Sequence, residues 1–369
     1  MSQPQIEIQL IAAVVAIACV LPGVFLVLRR MALMSDAISH AILVGIVLAF
    51  FVTRDLASPL LLIAATLTGV VTVSLVELLH RTQLVREDAA IGLVFPALFS
   101  VGVILISRFA GNVHLDTDAV LLGELAFAPF TRLVVLGYDL GPRTLYVMGG
   151  ILILNLFFLL LFYKEIKLAT FDPALATALG FTPGLIHYGL MTLVSVTAVG
   201  AFDAVGSILV VALMIGPPAA AYLLTDRLPR LIGLSAVIGV ASALSGYWLA
   251  HLLDASIAGS MATMTGVIFL LVFLLAPERG LIAIARRRSR QRWEFAQTML
   301  AIHVFNHEGL PEAVEELAPS HLQKHLRWEP SFAAQVVKRA EQGGILEQQA
   351  GQLALTERGR DLAREAIAS

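Results

Sequence analysis

Asp36 and His40 are the residues in this sequence best suited to chemistry. They lie four positions apart in RRMALMSDAISHAILVG, residues 29–45, inside an otherwise apolar stretch. If the stretch is helical they share one face, a turn from each other. Counted from Arg29 and Arg30 at about 1.5 Å per residue, they fall roughly 10 to 15 Å further along, well inside a membrane. A carboxylate oxygen and an imidazole nitrogen together offer a transient site to a borderline divalent metal. The same two groups also suit a purely structural pair, with Asp36 accepting a hydrogen bond from His40. Ser35 and Ser39 flank them and are expected to bond across to neighbouring helices.

Other ionisable groups are weaker candidates. Glu77 and His80 close one apolar run and are expected to reach out to the interface. His187 and Asp203 lie near run ends, and Glu124 falls in a stretch of unsettled topology. His251 and Asp254 close a later run and form a candidate outer metal vestibule. In the last 80 or so residues, His303 with His307 and His321 with His325 repeat the i, i+4 spacing, with Glu308, Glu312 and Glu315 nearby. On helices that spacing can hold a metal, so these four histidines form a candidate sensing site; plain solvated helix faces are the alternative. The single cysteine, Cys19, excludes an internal disulfide and a Cys-rich zinc site and reads as a small core residue.

No G-x-x-x-x-G-K-[ST] loop occurs, and neither a Ser-His-Asp nor an H-E-x-x-H arrangement. The chain therefore reads as no enzyme, and active transport through it would draw on an ion gradient or a separate ATPase.

The elements that must position these groups are membrane helices. Of the 369 residues 58% are hydrophobic and only 14% charged, and the mean hydropathy is +0.85. A soluble domain carries about a quarter charged residues, so the solvent for this chain is lipid. Net charge is −2, which gives no general attraction to nucleic acid. A span needs about 20 mostly apolar residues, and runs of that kind lie around 9–28, 31–52, 57–79, 89–107, 143–163, 185–201, 203–224, 230–252 and 256–276. Eight or nine spans are expected, with short or broken helices near the seventh. Residues 1–7 carry Glu7 and no Lys or Arg, unlike the basic start of a cleaved signal peptide, so the first helix is expected to be retained.

Arg29 and Arg30, Arg81 and Arg86, Lys164 and Lys167, Arg227 and Arg230, and Arg286 to Arg288 follow alternate runs. Because cytoplasmic loops carry the excess of Lys and Arg, the amino terminus is expected outside and the carboxyl terminus in the cytoplasm. Residues 108–142 resist this phasing, since Arg108, Arg132 and Arg143 fall on the outer side. DAVLLGELAFAPF within them reads as either a re-entrant or an interfacial helix. Charge density rises sharply after Pro277, which divides the chain into a permease-like domain, 1–285, and a polar domain, 286–369.

One polar segment points to the energy source. FDPALATALGF, residues 171–181, sits between two spans, with Asp172 placed to cap a helix that begins at Pro173 and stops at Gly180. So short a helix is marginal alone in water and makes sense docked on a partner.

The segment holding Asp36 and His40, FDPALATALGF, and GSILVVALMIGPPAAAYLLTDRLPR (206–230) occur in the order and spacing of the zinc/manganese permease family of ATP-binding-cassette importers, which residues 8–285 resemble. The resemblance implies an all-α polytopic inner-membrane permease of a bacterium. It would dimerise with itself or a similar subunit and work with cytoplasmic ATP-binding subunits and a periplasmic or extracellular metal-binding protein. Asp36 and His40 would line the metal path. Phe171, Asp172, Ala176 and Gly180 would belong to the coupling helix seated in the ATPase. Gly216, Pro217 and Pro218 match the family's kink and would help form a gate. The divalent ion is cargo; no permanently bound cofactor is expected.

The polar domain reads as helix (293–309), helix (332–342), a short hairpin in ILEQQAGQLALT and a last helix opening on L-T-x-x-G. This α+β pattern resembles the winged-helix domains of iron- and manganese-dependent repressors. Its second helix offers only Lys338 and Arg339 as cations, too few for phosphate contacts, so a regulatory or protein-binding role is expected rather than DNA binding. Manganese is the favoured cargo, with zinc or iron next. A metal-chelate permease, a membrane-tethered metal sensor and an ion-coupled transporter are the competing readings.

Overall fold

The computed structural model describes residues 2–54, 58–109, 125–135, 138–308, 326–349 and 352–368. The chain forms two compact units, Met1–Arg279 and Gly280–Ser369, each with its own apolar core.

The first unit is a helical membrane assembly. It comprises α1 (Gln3–Leu28), α2 (Leu33–Thr53), α3 (Pro59–Arg81), α4 (Glu87–Phe109), a strand pair β1 (Arg132–Val135) and β2 (Tyr138–Pro142), α5 (Arg143–Leu161), two short helices α6 (Tyr163–Phe171) and α7 (Pro173–Ala178), and α8 (Pro183–Leu224), α9 (Leu228–Leu253) and α10 (Ile257–Leu275). Among the described residues, nine segments are long and apolar enough to cross a bilayer. Two of them lie in α8. Its 42 residues would run about 63 Å as one straight helix, twice the ~30 Å hydrocarbon core. The chain breaks at Gly206, whose φ of 77° and ψ of 165° lie outside the helical region and suit only glycine.

Helix α1 sits at the centre. Ile11, Ala12, Val15, Ala16, Ala18, Cys19 and Val20 are wholly buried, because α5, α8 and α9 pack around it. Large apolar side chains remain exposed on α3, α4, α5 and α10, among them Leu67, Ile104, Ile153, Leu160 and Leu271. In water such a surface would be untenable; in a bilayer it meets lipid.

Polar side chains in this interior serve as glue. Asn155 of α5 donates to the carbonyl of Ala18 at 3.0 Å and to Thr197 Oγ1 at 2.9 Å, joining three helices. Ser35 and Ser39, expected to bond across helices, instead donate back to Ala32 and Ser35 carbonyls of their own chain segment. Both are buried, and a serine hydroxyl finds the carbonyl one turn back more readily than a partner helix.

The backbone of α8 leaves helical φ and ψ at Gly206, whereas Pro217 and Pro218, where a kink was expected, lie inside the helix. Pro218 lacks an N–H, which frees the Met214 carbonyl. That carbonyl packs against Gly23 of α1 so closely that a Cβ at Gly23 would lie 2.1 Å from the oxygen. The prolines thus shape a close crossing of α1 and α8 within a continuous helical segment.

Nor does the stretch before α5 form the helix expected of it over its described part. Residues 128–130 make one 3-10 turn, followed by the antiparallel pair β1–β2. Glu124 lies outside the described residues. Arg132, whose charge resisted the loop phasing, donates to Glu7 of α1 at 3.1 Å and to Asp139 of β2 at 2.7 Å. The guanidinium also holds the Asp139 carboxyl below its usual range.

The second unit contains α11 (Leu281–His307), α12 (Pro330–Gln342), β3 (Leu346–Gln349), β4 (Gln352–Leu355) and α13 (Glu357–Ala368). Leu300, Val304, Val336, Ala340, Leu346, Leu353 and Ala363 form its core. Strands β3 and β4 make the expected hairpin. Thr356 opens α13 by accepting from Gly359 N–H and donating to the Gly344 carbonyl, which explains the L-T-x-x-G pattern in physical terms.

Candidate metal path and coupling surface

Asp36 and His40 are brought together. Asp36 Oδ1 and His40 Nε2 are 3.4 Å apart on α2, and their side chains retain 43% and 27% exposure. The pair is therefore neither sealed in the core nor freely solvated. The His40 ring lies 5.8 Å from Phe95 and 5.9 Å from Phe99 of α4, centroid to centroid. These rings limit the imidazole's rotation and leave the carboxylate as its open neighbour.

Depth differs from the expectation. Helix α2 begins only at Leu33, and Asp36 belongs to its first turn, about 4.5 Å along the axis. Counting from the arginine pair assumed unbroken helix through residues 29–32, where the chain turns. The pair lies nearer the α1–α2 turn than counting gave. A carboxylate there also gains from the positive end of the helix.

The α1–α2 turn is tied to α6, the helix that leads into the segment read as a coupling helix. Arg29 Nε donates to Thr170 Oγ1 of α6 at 3.1 Å, and its Nη1 lies 3.3 Å from His187 Nδ1 of α8. Burial pulls the Arg29 guanidinium below its usual value. Immediately after α6, Asp172 caps α7 by accepting from Leu175 N–H at 2.9 Å, Pro173 takes the first helical position, and Gly180 at φ 84° ends the element. Phe171 at the end of α6, Leu175 on α7 and Leu179 at its C-cap are exposed, three apolar side chains on and beside a six-residue helix. Ala176, expected on the interface, is instead wholly buried: it faces into the unit, and its carbonyl accepts from Phe181 N–H at 3.0 Å. Leu175 and Leu179 were missed; reading the segment as a wheel with Ala176 inward would have found them.

His251 and Asp254 end α9, both exposed. The His251 ring stands edge-on to Trp248 with centroids 6.1 Å apart, while Asp254 takes a left-handed conformation as the C-cap. In the second unit His303 is buried on α11, and His307 Nδ1 lies 2.8 Å from the His303 carbonyl. His321 and His325 lie outside the described residues, so the four-histidine arrangement is not formed by what is described. Among the described residues, no three His, Cys, Asp or Glu side chains are grouped closely enough to hold a metal ion.

Nine segments among the described residues that are long and apolar enough to cross a bilayer define a polytopic membrane protein. Comparison with known proteins places it more closely. A family model described as the ABC 3 transport family matches residues 5–276, and the chain belongs to that family. It is 49% identical over 358 residues to the zinc transport system membrane protein TroD of Treponema pallidum, covering 97% of each chain. To the manganese transport system membrane protein MntD of Bacillus subtilis it is 50% identical over 268 residues, 73% of this chain and 90% of that one. Among solved structures it resembles PsaBC from Streptococcus pneumoniae in complex with Fab, with a TM-score of 0.63 and 28% identity over 76% of this chain and 94% of that chain.

Proposed function

We propose that this chain is the permease subunit of an ATP-driven importer that carries a divalent transition-metal ion, manganese before zinc or iron, into a bacterial cytoplasm through the inner membrane. The observation that carries the reading is the Asp36–His40 pair, 3.4 Å apart and half-open on a membrane helix. A carboxylate and an imidazole that face open space near the end of a membrane helix are placed to meet an ion entering or leaving the membrane. Oxygen and nitrogen donors without thiolate suit manganese, ferrous iron and zinc alike. TroD is named for zinc and MntD for manganese; zinc, the cargo named for the relative that matches nearly the whole chain, is the second choice.

Energy comes from partner subunits. ATP-binding subunits dock on α7 and its flanks through Phe171, Leu175 and Leu179, with Asp172 and Gly180 fixing the helix ends. The Thr170–Arg29 bond passes that load to the turn that opens α2. A second permease subunit, identical or similar, completes the pore, and an extracytoplasmic metal-binding protein delivers the ion near His251 and Asp254. The loop-charge phasing puts the Arg29 side in the cytoplasm. The second unit has the helix, helix, hairpin, helix order of a winged helix and acts as a regulatory or protein-binding module without DNA.

The test is uptake of radioactive manganese and zinc by cells that express the whole importer and lack other importers. Asp36→Ala and His40→Ala are expected to cut uptake by about tenfold or more, since even outer-shell changes at metal sites cost about 10- to 100-fold. Wild-type uptake of every metal by both variants would overturn the reading.

A further inference from the structure

Unclaimed positive charge gathers in the first turns of α11. Residues 286–292 hold five arginines, Arg286, Arg287, Arg288, Arg290 and Arg292, with no acidic residue between Glu278 and Glu294. They follow the last span closely, since only residues 276–280 join α10 to α11. Two of the five are engaged within the second unit: Arg290 donates to Glu294 at 2.6 Å, and Arg292 lies over the Phe332 ring at 4.7 Å. Arg286, Arg287 and Arg288 are exposed and make no ion pair or hydrogen bond among the described residues. Arg286, Arg290 and Trp293 share one face of α11, and with Arg339 of α12 and Glu294 they wall an open cleft of about 400 Å³. Three arginines against one glutamate leave that lining with a net charge of +2. Arg339 lies 4.1 Å over the Trp293 ring, which stacks on Phe332 at 5.1 Å, so the cleft wall is held in shape by packing within the unit.

We infer that this cleft binds the phosphate headgroup of an anionic phospholipid, with Arg286, Arg290 and Arg339 as donors and Arg287 and Arg288 drawing such lipid to the helix. The inference goes beyond the transport reading and needs only the membrane assignment. Planar guanidinium forks match phosphate oxygens two at a time, and basic clusters immediately beside a membrane helix attract anionic lipid. A lipid fits better than nucleic acid or a soluble phosphate. Leu281 and Ile282, about a turn ahead of the arginines on the same helix, are exposed. Bare aliphatic side chains next to a basic stretch suit the boundary between acyl chains and headgroups. Trp293 belongs to the cleft wall, and tryptophan favours that same boundary. A site for free phosphate or for DNA has no use for the two aliphatic side chains.

The test uses the full-length chain in detergent with Trp248→Phe and Trp328→Phe, so that Trp293 alone reports by its fluorescence. It is titrated with dihexanoyl phosphatidylglycerol, dihexanoyl phosphatidylcholine, inorganic phosphate and a short DNA duplex. A saturable change is expected with phosphatidylglycerol and not with phosphatidylcholine. Arg286→Gln/Arg290→Gln should weaken it by about tenfold or more, and high salt should weaken it too. Arg287→Gln/Arg288→Gln removes the same charge outside the cleft and should weaken it less. Equal binding of phosphatidylcholine, or saturation by phosphate or DNA at the concentrations that suffice for phosphatidylglycerol, overturns the inference. A wild-type curve from Arg286→Gln/Arg290→Gln overturns it as well, as does an equal loss from the Arg287 and Arg288 pair. If the cleft variant aggregates on size exclusion, Arg286→Gln alone, which breaks no bond among the described residues, must weaken binding, and a wild-type curve from it is equally fatal. Metal uptake is not read in this experiment, so the transport reading stands or falls apart from it.

Discussion

At the scale of single residues, the account turns on what holds each polar group in hydrocarbon. Asn155 ties α5 to α1 and α8 through two hydrogen bonds, while its Oδ1 is buried without a partner. Intramembrane hydrogen bonds are worth about 0.6 kcal/mol on average and up to about 1.7, so Asn155→Leu is expected to lower stability by that order and leave the path intact. Thermal unfolding in detergent checks it; a loss of uptake without a loss of stability would give Asn155 a transport role. Asp36 and His40 were legible from spacing alone, because an acid and an imidazole one turn apart stand out in an apolar run. Asn155 was not, since a lone amide in a span carries no partner in its own sequence. Ala176 was misplaced for the opposite reason: a small residue in a short helix fits either face, and only the packing shows that it points inward.

At the scale of elements, two contacts carry predictions. Leu175 on α7 and Leu179 at its C-cap are exposed, so Leu175→Asp and Leu179→Asp should fold normally yet release the ATP-binding subunits and abolish uptake. Co-purification from solubilised membranes reads this directly, and retention of the ATPase by both variants would remove α7 from the interface. Gly23 faces the Met214 carbonyl with no room for a Cβ; Gly23→Val is therefore expected to separate α1 from α8 and sharply reduce the amount of folded protein recovered by size exclusion. The spans themselves were readable, because about 20 apolar residues in a row have few other fates. The turn chemistry was less so. GSILVVALMIGPPAAA offers two adjacent prolines as the obvious break, but the break falls at the glycine opening the segment. Proline in a helix costs a hydrogen bond that a neighbouring backbone can compensate, whereas only glycine adopts the φ found at 206. The hairpin at 132–142 escaped notice because each strand is only four or five residues long. What fixes it to α1 is the Arg132–Glu7 pair, a contact spanning 125 positions.

At the scale of the whole molecule, the two units have separate cores with no residue in common. A chain ending at residue 285 is therefore expected to insert, bind its ATPase and carry metal; if the second unit regulates, the truncated form should continue uptake at metal levels that halt the full chain. An inserted but inactive truncation would make the second unit part of the transport machinery. The central claim, however, concerns one carboxylate. The direct measurement is the initial rate of ATP-driven manganese entry into proteoliposomes holding the complete importer, wild type against Asp36→Asn, which keeps shape and removes charge. The account predicts a rate reduced by about tenfold or more with assembly unchanged. A wild-type rate for manganese, zinc and ferrous iron alike would contradict it.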